Sequence, residues 1–409
     1  MDPSCPPGLH ECPVSRPRGK RWRDVQGATA LLLLLASWTG CPLHTAASSP
    51  GKSKSSPRIA IVSERAFHLE VLAGYIHILE HYAATTTVFM HPLNFPDRAL
   101  DFGFIEFMSD EFTGDVRGLP ALGMPPFDVV IFISPEYRVN YAKEFVARAK
   151  PQLVILVVHN GDAETVSDLR TVHKNAVLVT LAPHVAKFVS DRLKYQVDWM
   201  LPLRALKPIN VCNDANLHSC LSGFSIQGNM DSRRRNYTEI WREIDVTINS
   251  SATYKDDMRF GVKVIGSGNP AKLEVPHWLK DRITPHVNLK FVPFYELIYH
   301  SYALVPTLAS DHYYDRKFSS TLISSLVTGT PMIVTGKFLS AYTFMDKSVV
   351  FTQKESEVTV DVMKRVLAQD AQQLTATRDL LNNKRDQLNS EAQTKIQALF
   401  KKYLGGSDS

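Results

Sequence analysis

The stretch FDVVIFISPEYRVNYAKEFVARAKPQLVILVVH, residues 127–159, decides the fold. Its two ends, residues 127–134 and 153–159, are short apolar runs typical of strands that are buried on both faces of a sheet. We predict a helix at residues 140–150 between them. A strand, a helix and a second strand in this order indicate parallel strands joined by a crossover helix, as in α/β proteins.

The rest of the first half repeats this alternation. We predict further strands at residues 58–63, 85–90 and 176–180, further helices at 68–82, 163–169 and 183–193, and a long loop with one short strand at 92–126. Residues 201–210, LPLRALKPIN, contain two prolines and little periodicity. We interpret them as a connector between two domains, about which the domains close.

The alternation restarts after the connector. We predict strands at residues 223–230, 259–265, 288–292, 302–307 and 331–335, and helices at 237–245, 294–300, 317–327, 355–368 and 372–404. The last helix either folds back across the domains or stays solvated. A chain of 409 residues suits two domains of ~150–200 residues each. We therefore predict an α/β protein with two Rossmann-like parallel-sheet domains, residues 58–200 and 211–404, facing across a cleft.

Residues 1–57 are predicted to be a targeting segment and a linker. Basic residues between Arg16 and Arg23 precede the apolar residues 28–38, which is the order found in secretory leaders. This run is short for a membrane span, which needs ~20 residues, but residues 28–47 together could just span as a signal anchor. We expect a Golgi or endoplasmic-reticulum protein of the type II single-pass kind, or a secreted one if the leader is cleaved. The alternative is a buried or disordered leader.

The cysteines, the glycosylation sequons and the net charge bear on the compartment of the protein and on its partners. Cys212 and Cys220 either close a small disulfide loop or stay as free thiols. Asn236 and Asn249 begin N-glycosylation sequons, which predict a glycoprotein. The net charge of +5 is modest, and the dense basic runs are confined to residues 16–23 and 233–235, so we expect no nucleic-acid partner.

Ligands of open α/β sheets bind beyond the carboxyl ends of the strands, and the first candidate loop there is GNMDSRRR, residues 228–235. Glycine lets a phosphate approach the backbone, the following helix offers free N–H groups, and arginine supplies forked donors. The predicted donor-binding residues are Gly228, Asn229, Arg233 and Arg234. The alternative is a tight turn before a solvated helix, although arginines are unfavourable at the positive end of a helix dipole.

Two further loops add candidates. The loop GSGN, residues 266–269, offers Ser267 and Gly268 but is also compatible with a plain strand-to-helix turn. The segment of residues 306–321 offers Asp311, Lys317, Ser319 and Ser320, whose side chains and helix N–H groups suit phosphate or ribose oxygens. Ser319 acting only as a helix N-cap is the alternative.

The run from Ser310 to Thr335, with its Gly329-Thr330-Pro331 turn and the apolar residues that follow, resembles the donor-binding segment of retaining GT-B glycosyltransferases of the glycogen-synthase-like, or group 1, superfamily. The loop of residues 228–235 is similar to the phosphate-binding loop of that family. The family has two glutamates eight positions apart before the turn, but those positions hold Arg316 and Ser324 here. Their hydrogen bonds to the donor are either lost or moved to Asp311 or Asp315, so the resemblance does not extend to the retaining mechanism. The segment also resembles fucosyltransferase and exostosin types.

The resemblance implies that the first half binds the acceptor. A group that deprotonates an acceptor hydroxyl must be a histidine or a carboxylate facing the donor sugar. His159 and Asp162 follow a buried strand at its carboxyl end, and we predict them as the catalytic residues. For His159, the alternative is a structural histidine that caps the strand with a backbone hydrogen bond.

The resemblance predicts a glycosyltransferase that moves a sugar from a nucleotide sugar to a glycan, protein or lipid acceptor. We expect no metal and no further cofactor, since there is no zinc-ligand spacing and no Asp-x-Asp motif. The missing glutamate pair favours an alternative of another class, an inactive glycan-binding or scaffold protein with this fold. An epimerase or hydrolase would need more acid–base pairs than the loops offer.

Overall fold

A computed structural model of the chain describes residues 56–120 and 124–405. In these residues the first half forms a seven-stranded parallel sheet in the order β3-β2-β1-β4-β5-β6-β7. The strands are β1 Ile59–Ser63, β2 Thr86–Met90, β3 Asp115–Gly118, β4 Val129–Ile133, β5 Leu153–Val158, β6 Ala176–Thr180 and β7 Asp198–Trp199. Every residue of β1, β4 and β5 is buried, because helices cover both faces of the sheet.

The predicted helices of the first half follow the strands as expected, with α1 shorter than predicted and α4 at its predicted bounds. The helices of this half are α1 Leu69–Ile78, α2 Phe104–Met108, α3 Val139–Ala149 and α4 Pro183–Leu193, and residues Glu164–Thr171 form a 3-10 helix. Helix α2 lies where we predicted a loop. It forms because Phe107 stacks on Phe291 of the second half, with ring centroids 5.4 Å apart, a contact that leaves no local periodicity in the sequence.

The second half contains a second parallel sheet. Its strands are β8 Phe224–Gln227, β9 Val262–Gly266, β10 Ile283–Val287, β11 Ile333–Val334 and β12 Phe351–Thr352. The order β10-β9-β8 continues to β11-β12 through Leu304, which forms parallel bridges with Ser225 and Met332. The strand predicted at residues 302–307 is thus reduced to a bridge. Pro331, next to Met332, has no N–H to extend the pairing.

The remaining helices pack around this second sheet. They are α5 Leu217–Cys220, α6 Tyr237–Ser250, α7 Ala252–Asp256, α8 Phe291–Tyr299, α9 His312–Asp315, α10 Ser320–Thr328, α11 Gly336–Ala341, α12 Thr359–Leu367 and α13 Ala371–Leu404. Residues 288–292, predicted as a strand, instead lead into α8. The predicted α/β fold, with two parallel sheets facing across a cleft, is confirmed.

Helix α13 packs on both halves. At its start, the Arg378 guanidinium donates hydrogen bonds to the backbone oxygens of Tyr299 and Ser301 in the second half. Near its end, Phe400 contacts Tyr82 of the first half edge to face, with ring centroids 5.6 Å apart. Of the two alternatives for this helix, the structure therefore has the one that folds back across the halves.

Two further predictions concern the cysteine pair and the membrane segment. Cys212 and Cys220 form a disulfide, and His300 lies beside them. The predicted leader at residues 28–47 lies outside the described residues. Across the part of the chain that the structure describes, no helix has the length and apolar content needed to cross a membrane. The expected Golgi or endoplasmic-reticulum location through a membrane segment is corrected accordingly.

Candidate functional site

A cavity of about 600 Å³ opens between the two halves, at the carboxyl ends of both sheets. Parallel strands place their following loops at this edge, where open α/β sheets bind ligands. The cavity lining includes seven of the residues predicted from sequence, namely His159, Gly228, Asn229, Arg234, Ser267, Ser319 and Ser320. The other five predicted residues, Asp162, Arg233, Gly268, Asp311 and Lys317, do not line it.

The loops after β8 and β9 touch each other on the second-half side of the cavity. Gly266 lies so close to the neighbouring loop that a Cβ atom there would be 1.7 Å from the backbone oxygen of Gly228. No side chain fits in that gap, so backbone of both loops reaches the cavity. Gly268 packs against Asn229 and Met230 behind this contact and does not reach the cavity itself.

The first two arginines of the run at residues 233–235 differ in their surroundings. Arg233 is 85% exposed and forms an ion pair with Asp231, at 2.6 Å. Arg234 lines the cavity, and its Nε donates to the Tyr313 hydroxyl at 3.3 Å. Among the described residues, Arg234 has no carboxylate partner. It therefore brings an uncompensated positive charge to the cavity.

Arg235 has a structural role. Its side chain is buried, and its guanidinium donates to the backbone oxygen of Gln227 and to Thr321 Oγ1, 3.0 and 3.1 Å away. Thr321 in turn donates to Gln227 Oε1. These bonds tie the end of β8 to the first turn of α10, and Arg235 also contributes to the cavity lining. The run of three arginines therefore provides one exposed, ion-paired side chain and two that line the cavity, of which Arg235 is held by structural hydrogen bonds.

The amino terminus of α10 faces the cavity through Ser319 and Ser320. The predicted alternative for Ser319 was a simple N-cap, but its side chain makes no capping hydrogen bond. Its Oγ is buried and has no hydrogen-bond partner among the described residues. Since a buried hydroxyl normally has a partner, this oxygen is available to a ligand. Ser324, at one family glutamate position, also lines the cavity.

Two stacked histidines form the first-half side of the cavity. The rings of His68 and His159 lie 3.7 Å apart at 16°, and His68 Nδ1 is 2.6 Å from Ser134 Oγ. Burial lowers the pKa of His159 to about 3 and that of His68 well below its usual 6.5, and the charge of Arg234 lowers both further. Both rings are therefore neutral at neutral pH.

Glu136 fixes the loop that carries His159. One of its carboxylate oxygens accepts the backbone N–H groups of His159 and Asn160, at 3.0 and 2.9 Å. Burial raises the pKa of Glu136 to about 7. The ring Nδ1 of His159 has no partner among the described residues, so the backbone of this residue, and not its side chain, makes the structural hydrogen bond.

Three of the predicted residues outside the lining form other contacts. Asp162 lies 3.7 Å from Arg316, and Lys317 forms an antiparallel backbone bridge with Asn160. These two contacts join the halves beneath the cavity. Asp311 is 79% exposed and pairs with Lys337 at 2.6 Å.

Several cavity residues have no counterpart among the sequence predictions. Phe67, His68, Glu70, Phe102, Tyr137 and Tyr313 all line the cavity. His68 and Glu70 follow β1 at its carboxyl end. This position predicts that the loop binds a ligand, but it does not predict which side chains of the loop face the cavity. Phe102 and Tyr313 lie in irregular or very short elements, where periodicity carries no information.

The two facing parallel sheets, the cleft and the glycine-rich loop before a helix give this chain the GT-B glycosyltransferase fold. A scan against protein-family models finds no match, and neither does a search of curated proteins. The fold expected from the resemblance in residues 310–335 is confirmed.

Solved structures of this fold cover most of the chain. HepE of Anabaena, in complex with UDP-glucose, is 10% identical and has a TM-score of 0.56, over 84% of this chain and 100% of that one. Sucrose-phosphate synthase of Thermosynechococcus elongatus is 10% identical with a TM-score of 0.55, over 86% and 100%. The UDP-forming trehalose-phosphate synthase of Burkholderia xenovorans is 9% identical with a TM-score of 0.54, over 85% and 100%.

Proposed function

We propose that this protein is a glycosyltransferase that moves a sugar from a nucleotide-sugar donor to an acceptor hydroxyl in the cavity between its halves. The observation that carries the proposal is Arg234, a cation with no carboxylate partner among the described residues. It lines the cavity at the carboxyl ends of two parallel sheets together with the amino terminus of α10. Such a place suits a diphosphate, because helix N–H groups and a guanidinium both favour anions.

The donor would lie against the second half. Arg234 would neutralise the diphosphate leaving group, where negative charge grows in the transition state. Ser319, with its unpartnered hydroxyl, and Ser320 would accept or donate hydrogen bonds to phosphate or sugar oxygens. The backbone of Gly228 and the side chains of Asn229 and Ser267 would position the nucleotide. HepE was solved with UDP-glucose, so UDP-sugars are the first donors to test.

The acceptor would enter from the first half. His159 and His68 face the donor loops across the cavity, and both are neutral at neutral pH. A neutral imidazole can accept the proton of an acceptor hydroxyl, although a pKa of about 3 makes His159 a weak base. The proposal does not rely on Asp311, whose carboxylate is exposed and paired with Lys337.

Thermal unfolding in the presence of nucleotides tests the donor site. We expect UDP or a UDP-sugar to stabilise the protein, since a ligand at ~100 times its dissociation constant that binds only the folded state adds ~2.7 kcal/mol. Arg234→Ala should abolish the shift, whereas its neighbour Arg233→Ala should keep it, because Arg233 points away and pairs with Asp231. Equal losses in both variants would contradict the assignment.

Turnover separates the two classes of function. A transferase releases UDP from a bound UDP-sugar. The release is slow when the sugar is transferred to water and faster when it is transferred to an acceptor. Binding without any UDP release would favour the inactive glycan-binding or scaffold protein, which the loss of the family glutamates at Arg316 and Ser324 also suggests. No binding of any nucleoside diphosphate by the folded protein would refute the donor site itself.

A further inference from the structure

We infer that the acceptor is an uncharged sugar, which lies on the aromatic first-half side of the cavity and donates a hydroxyl hydrogen bond to Glu70. This inference rests on the proposed function and assigns the substrate class of its second site. It excludes sugar phosphates as acceptors. The argument comes from the charges on this side of the cavity, from the surroundings of Glu70 and from the aromatic rings beside it.

The first-half side of the cavity carries no fixed positive charge. Its polar and aromatic lining consists of Phe67, His68, Glu70, Phe102, Tyr137 and His159. No lysine or arginine from the described residues of the first half is part of this lining, and both histidines are neutral at neutral pH. A phosphate dianion bound against this lining would lose part of its hydration without a direct ion pair to a lysine or arginine of the first-half lining, which is costly.

Three cations lie near this side but outside the lining, and the charge of one of them, Arg65, lowers the pKa of His68. Lys290 lies 3.7 Å from Asp101, and Arg138 lies 3.3 Å from Glu64. The guanidinium of Arg65 lies 5.5 Å from the ring centroid of Phe67 and 5.4 Å from that of Tyr137, and Arg65 itself does not line the cavity. Arg234, on the opposite side, is the cation that the donor diphosphate requires.

Glu70 supplies a carboxyl group that has no side-chain partner among the described residues. It follows His68 and Leu69 at the start of α1 and lines the cavity. Its carboxyl group bonds only to its own backbone N–H among the described residues. Burial raises the pKa of Glu70 to about 7. A hydroxyl group from a ligand could bond to this carboxyl in either protonation state, whereas a phosphate would meet a like charge when the carboxyl is ionised.

The rings around Glu70 suit the apolar face of a sugar. Phe67 is 44% exposed at the edge of the cavity and packs edge to face on Tyr137, 5.5 Å between centroids. Small-molecule sites combine such apolar surfaces with a few placed polar groups. Two solved structures with this fold are a trehalose-phosphate synthase and a sucrose-phosphate synthase. We therefore expect this chain to differ from those enzymes in its acceptor.

Matched pairs of sugars test the inference on the full-length protein with UDP bound. The probes are glucose, mannose, N-acetylglucosamine and fructose, each against its 6-phosphate, with binding measured by saturation-transfer NMR and UDP release measured with the UDP-sugar. We expect the uncharged member to bind at least ~10-fold more tightly in any pair that binds, since like-charge contacts cost several kcal/mol. Preference for the phosphates, or binding of neither member in every pair, would overturn the inference.

Substitutions at Glu70 test whether this residue causes the preference for the uncharged sugar. Glu70→Lys should shift the preference of each pair toward the phosphate, and Glu70→Gln, which keeps an acceptor oxygen, should leave the uncharged sugar preferred. Phe67→Ala should weaken sugar binding, whereas Leu93→Ala, of similar exposure and outside the cavity, should not. Unchanged preference in a folded Glu70→Lys protein would refute the role of Glu70. Loss of UDP binding in the unmodified protein would instead refute the donor site.

Discussion

The ring of His159 shows how burial can determine the chemistry of a single residue. It stacks on His68 and touches Phe318 edge to face, at 6.0 Å between centroids. Neither contact stabilises a positive charge, and Arg234 opposes one. Burial and this charge hold the ring neutral far below its usual pKa of 6.5. The neutral ring needs no counter-ion, and the nearby Glu136 carboxylate accepts the backbone N–H of His159 instead of bonding its ring.

This lowered pKa makes stability depend on pH. Because the folded-state pKa of about 3 lies below the unfolded value of 6.5, the unfolded chain takes up a proton first as the pH falls. The free energy of unfolding should therefore decrease as the pH falls from about 6.5 toward 3. His159→Phe keeps a stacking ring without titrating. Since one pKa unit corresponds to about 1.36 kcal/mol, the variant should lose at least ~1 kcal/mol of this dependence between about pH 5 and 7.5.

Denaturant unfolding of both proteins across this pH range measures the difference. Glu70 and Glu136, with raised pKa values of about 7, destabilise the fold as the pH rises from about 4.5 to 7, which is the opposite trend. They remain in both proteins, as does His68, whose pKa is lowered in part by His159. The comparison therefore reports the titration of His159 together with its effect on the stacked His68. His277→Phe, at an exposed position, is the control and should follow the unmodified protein. Parallel curves for His159→Phe would show that the ring titrates normally.

At the level of elements, burial on both faces made the first sheet predictable. Strands such as β4 and β5 appear as unbroken apolar runs because each face is covered by helices. Helix α2 was missed because Phe104 and Phe107 pack on Phe291, far away in sequence. The strand expected around Leu304 is only a bridge. Sequence patterns thus predict helices and strands that show their own apolar periodicity. They miss elements that form through contacts with residues far away in sequence.

The end of α10 offers a matched test of one element contact. Gly329 has φ of 64°, and a Cβ atom there would lie 2.5 Å from Asn382 Oδ1 on α13. Gly103 has nearly the same φ, 68°, but a Cβ there would meet only the flexible Lys290 side chain, at 3.2 Å. The left-handed conformation costs a non-glycine residue roughly 1–2 kcal/mol. Gly329→Ala should therefore cost more than Gly103→Ala, because the Asn382 side chain, or α13 with it, must also move.

Denaturant unfolding of the two alanine variants gives the comparison directly. The excess destabilisation of Gly329→Ala over Gly103→Ala reports the contact between α10 and α13, and we expect it to exceed ~1 kcal/mol, as for other overpacked sites. Equal costs would mean that α13 is free to move away from α10. A double variant with Asn382→Ala should then recover part of the excess in Gly329→Ala, because it removes the atoms that the new methyl group meets.

At the level of the whole molecule, the cavity combines residues that are far apart in sequence. Residue types and loop positions identified Gly228, Arg234 and Ser319, because phosphate chemistry restricts the residues that can serve it. They could not identify Glu70 or Tyr137, whose roles depend on which side chains face the opposite half. They also could not separate Arg234 from Arg233, since only the folded chain places Asp231 beside one of them.

The division of the chain into two domains, residues 58–200 and 211–404, remains a prediction. It leaves open whether the two halves fold independently. One apolar cluster contains residues of the first sheet, Leu322 of α10 and Ile396 of α13. The connector is also fixed, because the Asn389 side chain bonds both the N–H and the backbone oxygen of Leu203, at 2.7 and 2.9 Å. The two halves therefore share buried contacts, and we expect them to unfold in one transition instead of two.

Asn389→Ala tests this coupling. The variant leaves two buried backbone groups of Leu203 without partners, which should cost ~1–3 kcal/mol, whereas the exposed Asn383→Ala on the same helix should cost little. Calorimetry should show one transition in both proteins, lower in temperature for Asn389→Ala, and UDP should raise the whole transition. Two transitions, of which UDP shifts only one, would instead establish that the halves fold separately and that α13 holds them together without coupling their stability.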